Sequence, residues 1–76
     1  MPGLRVAVLG AGAWGTALAL AFSARHQVAL WSHAPAEIAA LAHDRENKQF
    51  LPGFSFPDAL QIEADLAVAV RGADVA

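Results

Sequence analysis

The sequence predicts an α/β fold: the N-terminal half of a doubly wound, mainly parallel sheet, truncated, with residues 1–76 forming part of one domain. Three observations predict it. The apolar run Val6-Ala7-Val8-Leu9 precedes a glycine cluster, and such runs mark strands covered on both faces. The apolar period then turns helical from Ala13. A second apolar run, Gln27-Val28-Ala29-Leu30-Trp31, begins about three residues after that helix should end, the spacing of a right-handed βαβ unit.

Composition sets the outer limits. Seventy-six residues make at most one small domain, and a chain of this size buries only about 60% of its unfolded surface. With 57% hydrophobic and 16% charged residues, the chain suits a buried α/β core and not disorder. Net charge is −2 and no basic stripe exists, which excludes a nucleic-acid footprint. The absence of cysteine excludes disulfides and thiolate metal sites, and suits the cytoplasm. Arg5, the apolar stretch Val6 to Phe22 and Ala21-Phe22-Ser23 imitate a secretory signal. Three glycines inside that stretch argue against it. The stretch is also too short, and too strand-like at its start, for an integral membrane segment.

The elements follow in order. Leu4 to Leu9 is the first strand, ended by Gly10. In the first helix Trp14, Ala17, Leu18, Ala21 and Phe22 form one apolar face, expected to meet the core. Thr16 and Ser23 lie off that face, as does Leu20, which suggests a helix covered on more than one side. The helix should stop near Ala24, with Arg25 favourable at its C-terminal dipole. Gln27 to Trp31 is the second strand.

Pro35 opens a second helix with Ile38, Leu41, Ala42 and Arg45 on one face, ending near Glu46 or Asn47. Glu37, His43 and Asp44 are its polar positions. Ala34 offers no capping side chain, which costs about 1 kcal/mol. Asn47 to Pro57 reads as an ordered apolar loop, with Pro52-Gly53 at the centre of a type II turn. Leu60 to Glu63 is a short third strand, and Asp65 caps a short helix that runs through Arg71 and ends at Gly72. Asp74-Val75-Ala76 starts another strand. The first strand of such a sheet is central, so one of its edges is expected to lack a neighbour. The isolated 76-residue chain is therefore expected to aggregate or to fold only in part.

Gly10, Gly12 and Gly15 form a G-x-G-x-x-G pattern between strand and helix, the fingerprint of a Rossmann dinucleotide site. Gly10 permits the tight turn, Gly12 lets a pyrophosphate touch the backbone, and Gly15 lets helix and strand pack closely. The N–H groups of the first helical turn, around Ala13 and Trp14, then face the phosphates. The plain alternative is a glycine turn that merely packs. Trp14 reads both as core and as cofactor neighbour.

The second strand ends in Trp31-Ser32-His33-Ala34, where NAD sites carry an acid for the ribose hydroxyls. No acid opposes a 2′-phosphate there, and Ser32 and His33 can hydrogen-bond one. This points to NADP, or to both NADP and NAD, and away from FAD. The alternative for His33 is an exposed loop residue. His26 and His43 read as surface histidines, and Asp58, Glu63 and Asp65 as solvated or capping carboxylates. No metal ligands and no catalytic residue can be assigned in this stretch.

The chain resembles the N-terminus of bacterial NAD(P)-dependent glycerol-3-phosphate dehydrogenases. The resemblance rests on Gly10-Ala11-Gly12-Ala13-Trp14-Gly15-Thr16-Ala17-Leu18-Ala19 and Leu30-Trp31-Ser32-His33. It continues in Arg45-Glu46-Asn47, Phe50-Leu51-Pro52-Gly53 and Phe56-Pro57-Asp58. The glycine motif is common to many dehydrogenases; the Asn-x-x-aromatic-Leu-Pro-Gly segment is far more specific. The resemblance implies interconversion of dihydroxyacetone phosphate and sn-glycerol 3-phosphate with NAD(P)H, feeding phospholipid synthesis. It implies that Ala13, Trp14, His33 and Phe50 line the cofactor site beside the glycines. It also leaves room for a homodimer of the full-length enzyme. Ala13 stands where the family often has Ser, and Ala34 where Asp is frequent. The family's catalytic lysine and substrate-binding residues fall beyond Ala76. Other readings are a reductase of the ketopantoate or hydroxyacyl-CoA type, which the Phe50-Leu51-Pro52-Gly53 loop opposes, and a non-catalytic nucleotide-sensing module.

Overall fold

A computed structural model describes residues 3–75. Strand β1 (Arg5–Leu9) leads into helix α1 (Ala13–Ser23), strand β2 (Gln27–Trp31) and helix α2 (Pro35–Asp44). Strands β3 (Glu46–Asn47) and β4 (Leu51–Ser55) follow, then β5 (Leu60–Ile62) and helix α3 (Leu66–Arg71). β1 and β2 pair in parallel from Arg5–Gln27 to Leu9–Trp31, and β5 pairs in parallel with the other edge of β2. On the free side of β1, Val75 bridges Val6 in parallel, and the Ala7 N–H donates to the Val75 carbonyl at 2.8 Å. The spatial order is therefore β5, β2, β1, Val75, which matches the start of a doubly wound sheet. The edge of β1 expected to be bare is partly covered by Val75; Ala76 lies outside the described residues.

Apolar side chains of the parallel strands meet those of the helices and the β4–β5 connection in one core. Leu30 and Leu60 are fully buried, and Val6, Val28, Ala19, Leu41 and Phe56 close around them. Burying a leucine or phenylalanine side chain is worth about 1.5–3 kcal/mol, so this cluster is the main support of the sheet.

Helix α1 turns a different face inward from the one its hydrophobicity predicts. Thr16, Ala19 and Ser23 are buried, while Trp14 is 83% exposed and Leu18 and Phe22 also face outward. Small residues at these positions let the helix sit close against the sheet. The polar atoms they bring in are satisfied: Ser23 Oγ donates to the Leu20 carbonyl at 2.7 Å, and Thr16 is bonded at the glycine turn. Hydrophobic periodicity points to the larger side chains on the other face and so misses this one.

Helix α2 ends two to three residues earlier than expected. Arg45 is its C-cap in the left-handed region (φ 54°) and leaves the expected apolar face; its N–H donates to Leu41 O. The Arg45 guanidinium donates to the carbonyls of Pro57 and Leu60 at 2.9 and 2.6 Å and lies 5.8 Å from the Phe56 ring centre. The expected loop after it is an antiparallel hairpin. Glu46 pairs with Ser55 and Asn47 with Leu51, so Pro52-Gly53-Phe54 bulge out between the two pairs. Gly53 carries the positive φ (91°) that the proposed turn required. At α3, both Asp65 cap bonds form, to the N–H groups of Ala67 and Val68. Among the described residues, no helix is long and apolar enough to cross a membrane.

Candidate functional site

The glycine turn lies at the carboxyl end of β1. The Gly10 N–H donates to the Trp31 carbonyl at 2.8 Å, which holds the turn level with the end of β2. Gly10 has φ +138°, a conformation that side-chain-bearing residues rarely adopt. A Cβ on Gly15 would overlap the Gly10 carbonyl oxygen. Backbone conformation thus requires glycine at position 10, and packing requires it at position 15. Gly12 differs: its backbone is ordinary (φ −72°, ψ −173°), and a Cβ built there would meet nothing within 4 Å. Nothing in the described chain needs a glycine at this position. A ligand touching the backbone at the helix N-terminus would need one, so the turn fits a pyrophosphate.

The charge at this end is suited to an anion. Gly12 is the N-cap of α1, no side chain caps the helix, and its first turn holds no acid. The first N–H groups of a helix lack intrahelical acceptors, and the dipole adds about half a positive charge. Helix α3, by contrast, fills its own N-terminus with the Asp65 carboxylate. Ala13 and Trp14 are exposed at the opening of α1, in reach of whatever binds there.

Beneath the turn lies a polar anchor that sequence reasoning did not pick out as part of the site. The buried amide of Asn47 (3% exposed) donates through Nδ2 to the Ala11 carbonyl at 2.7 Å and to Thr16 Oγ1 at 2.8 Å. Thr16, fully buried, also lies 3.4 Å from the Ala11 carbonyl. Asn47 Oδ1 accepts from the Phe50 N–H at 3.1 Å. Phe50 is 43% exposed on this loop, so Asn47 connects its backbone to the glycine turn. The available signal was the Asn-x-x-aromatic spacing, which carried the resemblance without disclosing its structural purpose.

The third part is the end of β2. His33 is exposed and lines a groove of about 220 Å³ with Trp31, Pro35, Ile38 and Ala64. Ser32 lines the same groove, but its hydroxyl is already engaged within the protein. It is buried, its hydroxyl donates to Glu37 Oε1 at 3.0 Å, and its oxygen accepts from the Ala34 N–H at 3.3 Å. The expectation of no acid near this strand end is likewise corrected: α2 folds Glu37 back onto Ser32 from five residues on. Sequence distance from the strand end concealed that return. His26, expected as a plain surface residue, accepts the Leu4 N–H on Nδ1 at 3.0 Å, away from the turn. Among the described residues, no group of His, Cys, Asp or Glu is arranged to hold a metal.

Comparison with known proteins places this geometry. The family model described as the NAD-dependent glycerol-3-phosphate dehydrogenase N-terminus matches residues 5–76. The chain is 57% identical over 72 residues to the glycerol-3-phosphate dehydrogenase (NAD(P)+) of Aromatoleum aromaticum, covering 95% of this chain and 22% of that protein. It is 50% identical over 72 residues to the enzyme of the same name from Methylobacillus flagellatus, with the same coverage. The chain thus spans less than a quarter of the length of these relatives. Among solved structures, a glycerol-3-phosphate dehydrogenase from Coxiella burnetii superposes with a TM-score of 0.90 at 33% identity, over 96% of this chain and 23% of that one. With its fingerprint, its sheet order and its sequence in agreement from Arg5 onward, the chain belongs to the family of NAD-dependent glycerol-3-phosphate dehydrogenase N-terminal domains.

Proposed function

We propose that this chain is the cofactor-binding front of an NAD(P)H-dependent glycerol-3-phosphate dehydrogenase. Residues 1–76 are then part of its Rossmann domain. The observation that carries the reading is the turn at Gly12, open in front and anchored behind by Asn47. The N–H groups of Gly12, Ala13 and Trp14 would hold the pyrophosphate, while Gly10 and Gly15 keep the turn close to the sheet. His33 would meet the adenosine ribose and its 2′-phosphate, and Phe50 would border the site from the hairpin loop. The nicotinamide, when bound, supplies or takes up the hydride that interconverts dihydroxyacetone phosphate and sn-glycerol 3-phosphate. The product is a precursor for phospholipid synthesis. Its proposed setting is the cytoplasm, in an enzyme compatible with a homodimeric form. No residue of this stretch is given a catalytic role.

The test is made on the full-length dehydrogenase carrying this sequence. The expected result is reduction of dihydroxyacetone phosphate with oxidation of NADPH or NADH, and a Gly12→Val variant that binds either cofactor at least about tenfold more weakly. Unchanged cofactor affinity in Gly12→Val would remove the basis of the reading. Cofactor binding with no turnover of dihydroxyacetone phosphate would favour a nucleotide-sensing module instead.

A further inference from the structure

We infer that Asn47 is a positioning residue for cofactor binding, which aims the Gly12 N–H at the pyrophosphate by holding the opposite end of the same peptide group. The inference rests on the reading of the turn as a dinucleotide site. The Ala11 carbonyl and the Gly12 N–H belong to one peptide unit, and in a planar trans peptide the two point in opposite directions. Asn47 Nδ2 draws that carbonyl inward at 2.7 Å. The Gly12 N–H is thereby turned away from the Asn47 amide, and among the described residues it has no protein acceptor. A hydrogen bond accepted at the carbonyl also polarises the N–H of its own peptide, which strengthens it as a donor to an anion.

The anchor is built to hold one orientation. Both Nδ2 hydrogens are used, one on Ala11 and one on Thr16 Oγ1, and Oδ1 takes the Phe50 N–H. Thr16 accepts from Asn47 and offers its own proton to the Ala11 carbonyl, closing a triangle of buried groups. The partners lie 36 and 31 residues from Asn47 in the chain, so the amide fixes the glycine turn against a loop that is remote in sequence. That loop carries Phe50, and one side chain therefore sets both borders of the site. An aspartate at position 47 would keep the shape and the Phe50 bond. It would lose both donors and put a carboxylate against the Ala11 carbonyl, which favours rotation of the peptide away from the phosphate.

The test compares Asn47→Asp, Thr16→Val and Thr16→Ser in the full-length enzyme, with Gly12→Val as the reference. Asn47→Asp is expected to raise KM for NADPH about tenfold, the loss of one well-aimed bond to an anion, while kcat and KM for dihydroxyacetone phosphate change by less than about twofold. Thr16→Val should raise KM for NADPH by about threefold, and Thr16→Ser should restore it. A merely structural role would instead disturb kcat and both KM values together, whatever the change in melting temperature; that result overturns the inference. So does an Asn47→Asp enzyme with the wild-type KM for NADPH, provided Gly12→Val has lost binding. If Gly12→Val binds NADPH normally as well, the dinucleotide reading falls and takes the inference with it. Should Asn47→Asp fail to fold, the contrast between Thr16→Val and Thr16→Ser decides alone: equal KM values for NADPH overturn the inference.

Discussion

The Gly10 carbonyl oxygen occupies the space that a Cβ on Gly15 would need. Two glycines five residues apart thereby set how closely α1 approaches the end of β1, whereas Gly12 between them has no such neighbour. The two kinds of glycine should separate in experiment. Gly15→Ala is expected to cost about 1–3 kcal/mol of stability through overpacking, and cofactor affinity with it. Gly12→Ala should leave the melting temperature of the cofactor-free protein within about 2 °C while still weakening NADPH binding, because its Cβ meets no protein atom and enters the space proposed for the pyrophosphate. Thermal melts and cofactor titrations on the two variants check this; equal losses of stability would contradict it.

The end of β2 makes a prediction about cofactor choice. His33 is exposed beside the groove, whereas Ser32 is held by the Glu37 carboxylate. His33→Ala is expected to lower the ratio of kcat/KM for NADPH over NADH. Glu37→Gln keeps a hydrogen-bond acceptor for Ser32 and removes a negative charge near the place proposed for the 2′-phosphate. It should raise the same ratio about two- to fivefold at low salt, and less at high salt, where the charge is screened. Steady-state kinetics with both cofactors measure the two effects. A ratio indifferent to both substitutions would move the 2′-phosphate elsewhere.

Much of this was legible in the chain. The glycine spacing, the two apolar runs and Asp65 ahead of α3 follow from local pattern, the central place of β1 follows from the fold class that pattern implies, and the structure keeps them. What was not legible depends on contacts made across the fold. Periodicity selected Trp14, Leu18 and Phe22 for the core because it weighs hydrophobicity, but close helix–sheet contact selected the smaller Thr16, Ala19 and Ser23. Asn47 and Glu37 act on groups that local sequence does not show to be near them. The hairpin was hidden because three bulged residues interrupt its ladder and break the alternation expected of paired strands.

Arg45 yields a prediction with a definite order of effects. Its backbone sits in the left-handed region, which costs a side-chain-bearing residue about 1–2 kcal/mol, while its guanidinium bonds the Pro57 and Leu60 carbonyls. Arg45→Ala loses the bonds and keeps the backbone cost. Arg45→Gly loses the same bonds but relieves that cost. The alanine variant should therefore be the less stable of the two, by about 1 kcal/mol, and both should fall below the wild type. Urea denaturation of the three proteins tests the order; a glycine variant less stable than the alanine one would refute it.

A groove of exposed apolar side chains runs between α1 and β1. Leu4, Leu9, Leu18, Phe22 and Val75 are all exposed and line this groove of about 520 Å³. Contiguous apolar surface of this kind drives association when nothing covers it. The 76-residue chain taken alone is expected to self-associate as its concentration rises. Leu18→Lys should reduce that association, because it places a charge on the lining of the groove without touching the inward face formed by Thr16, Ala19 and Ser23. Helical content by circular dichroism should stay the same in the variant, since lysine is almost as good a helix former as leucine. Sedimentation velocity over a range of concentrations separates the outcomes: a wild-type chain that remains monomeric throughout would show that this face is not adhesive. Equal association in the variant would place the contact on another part of the surface.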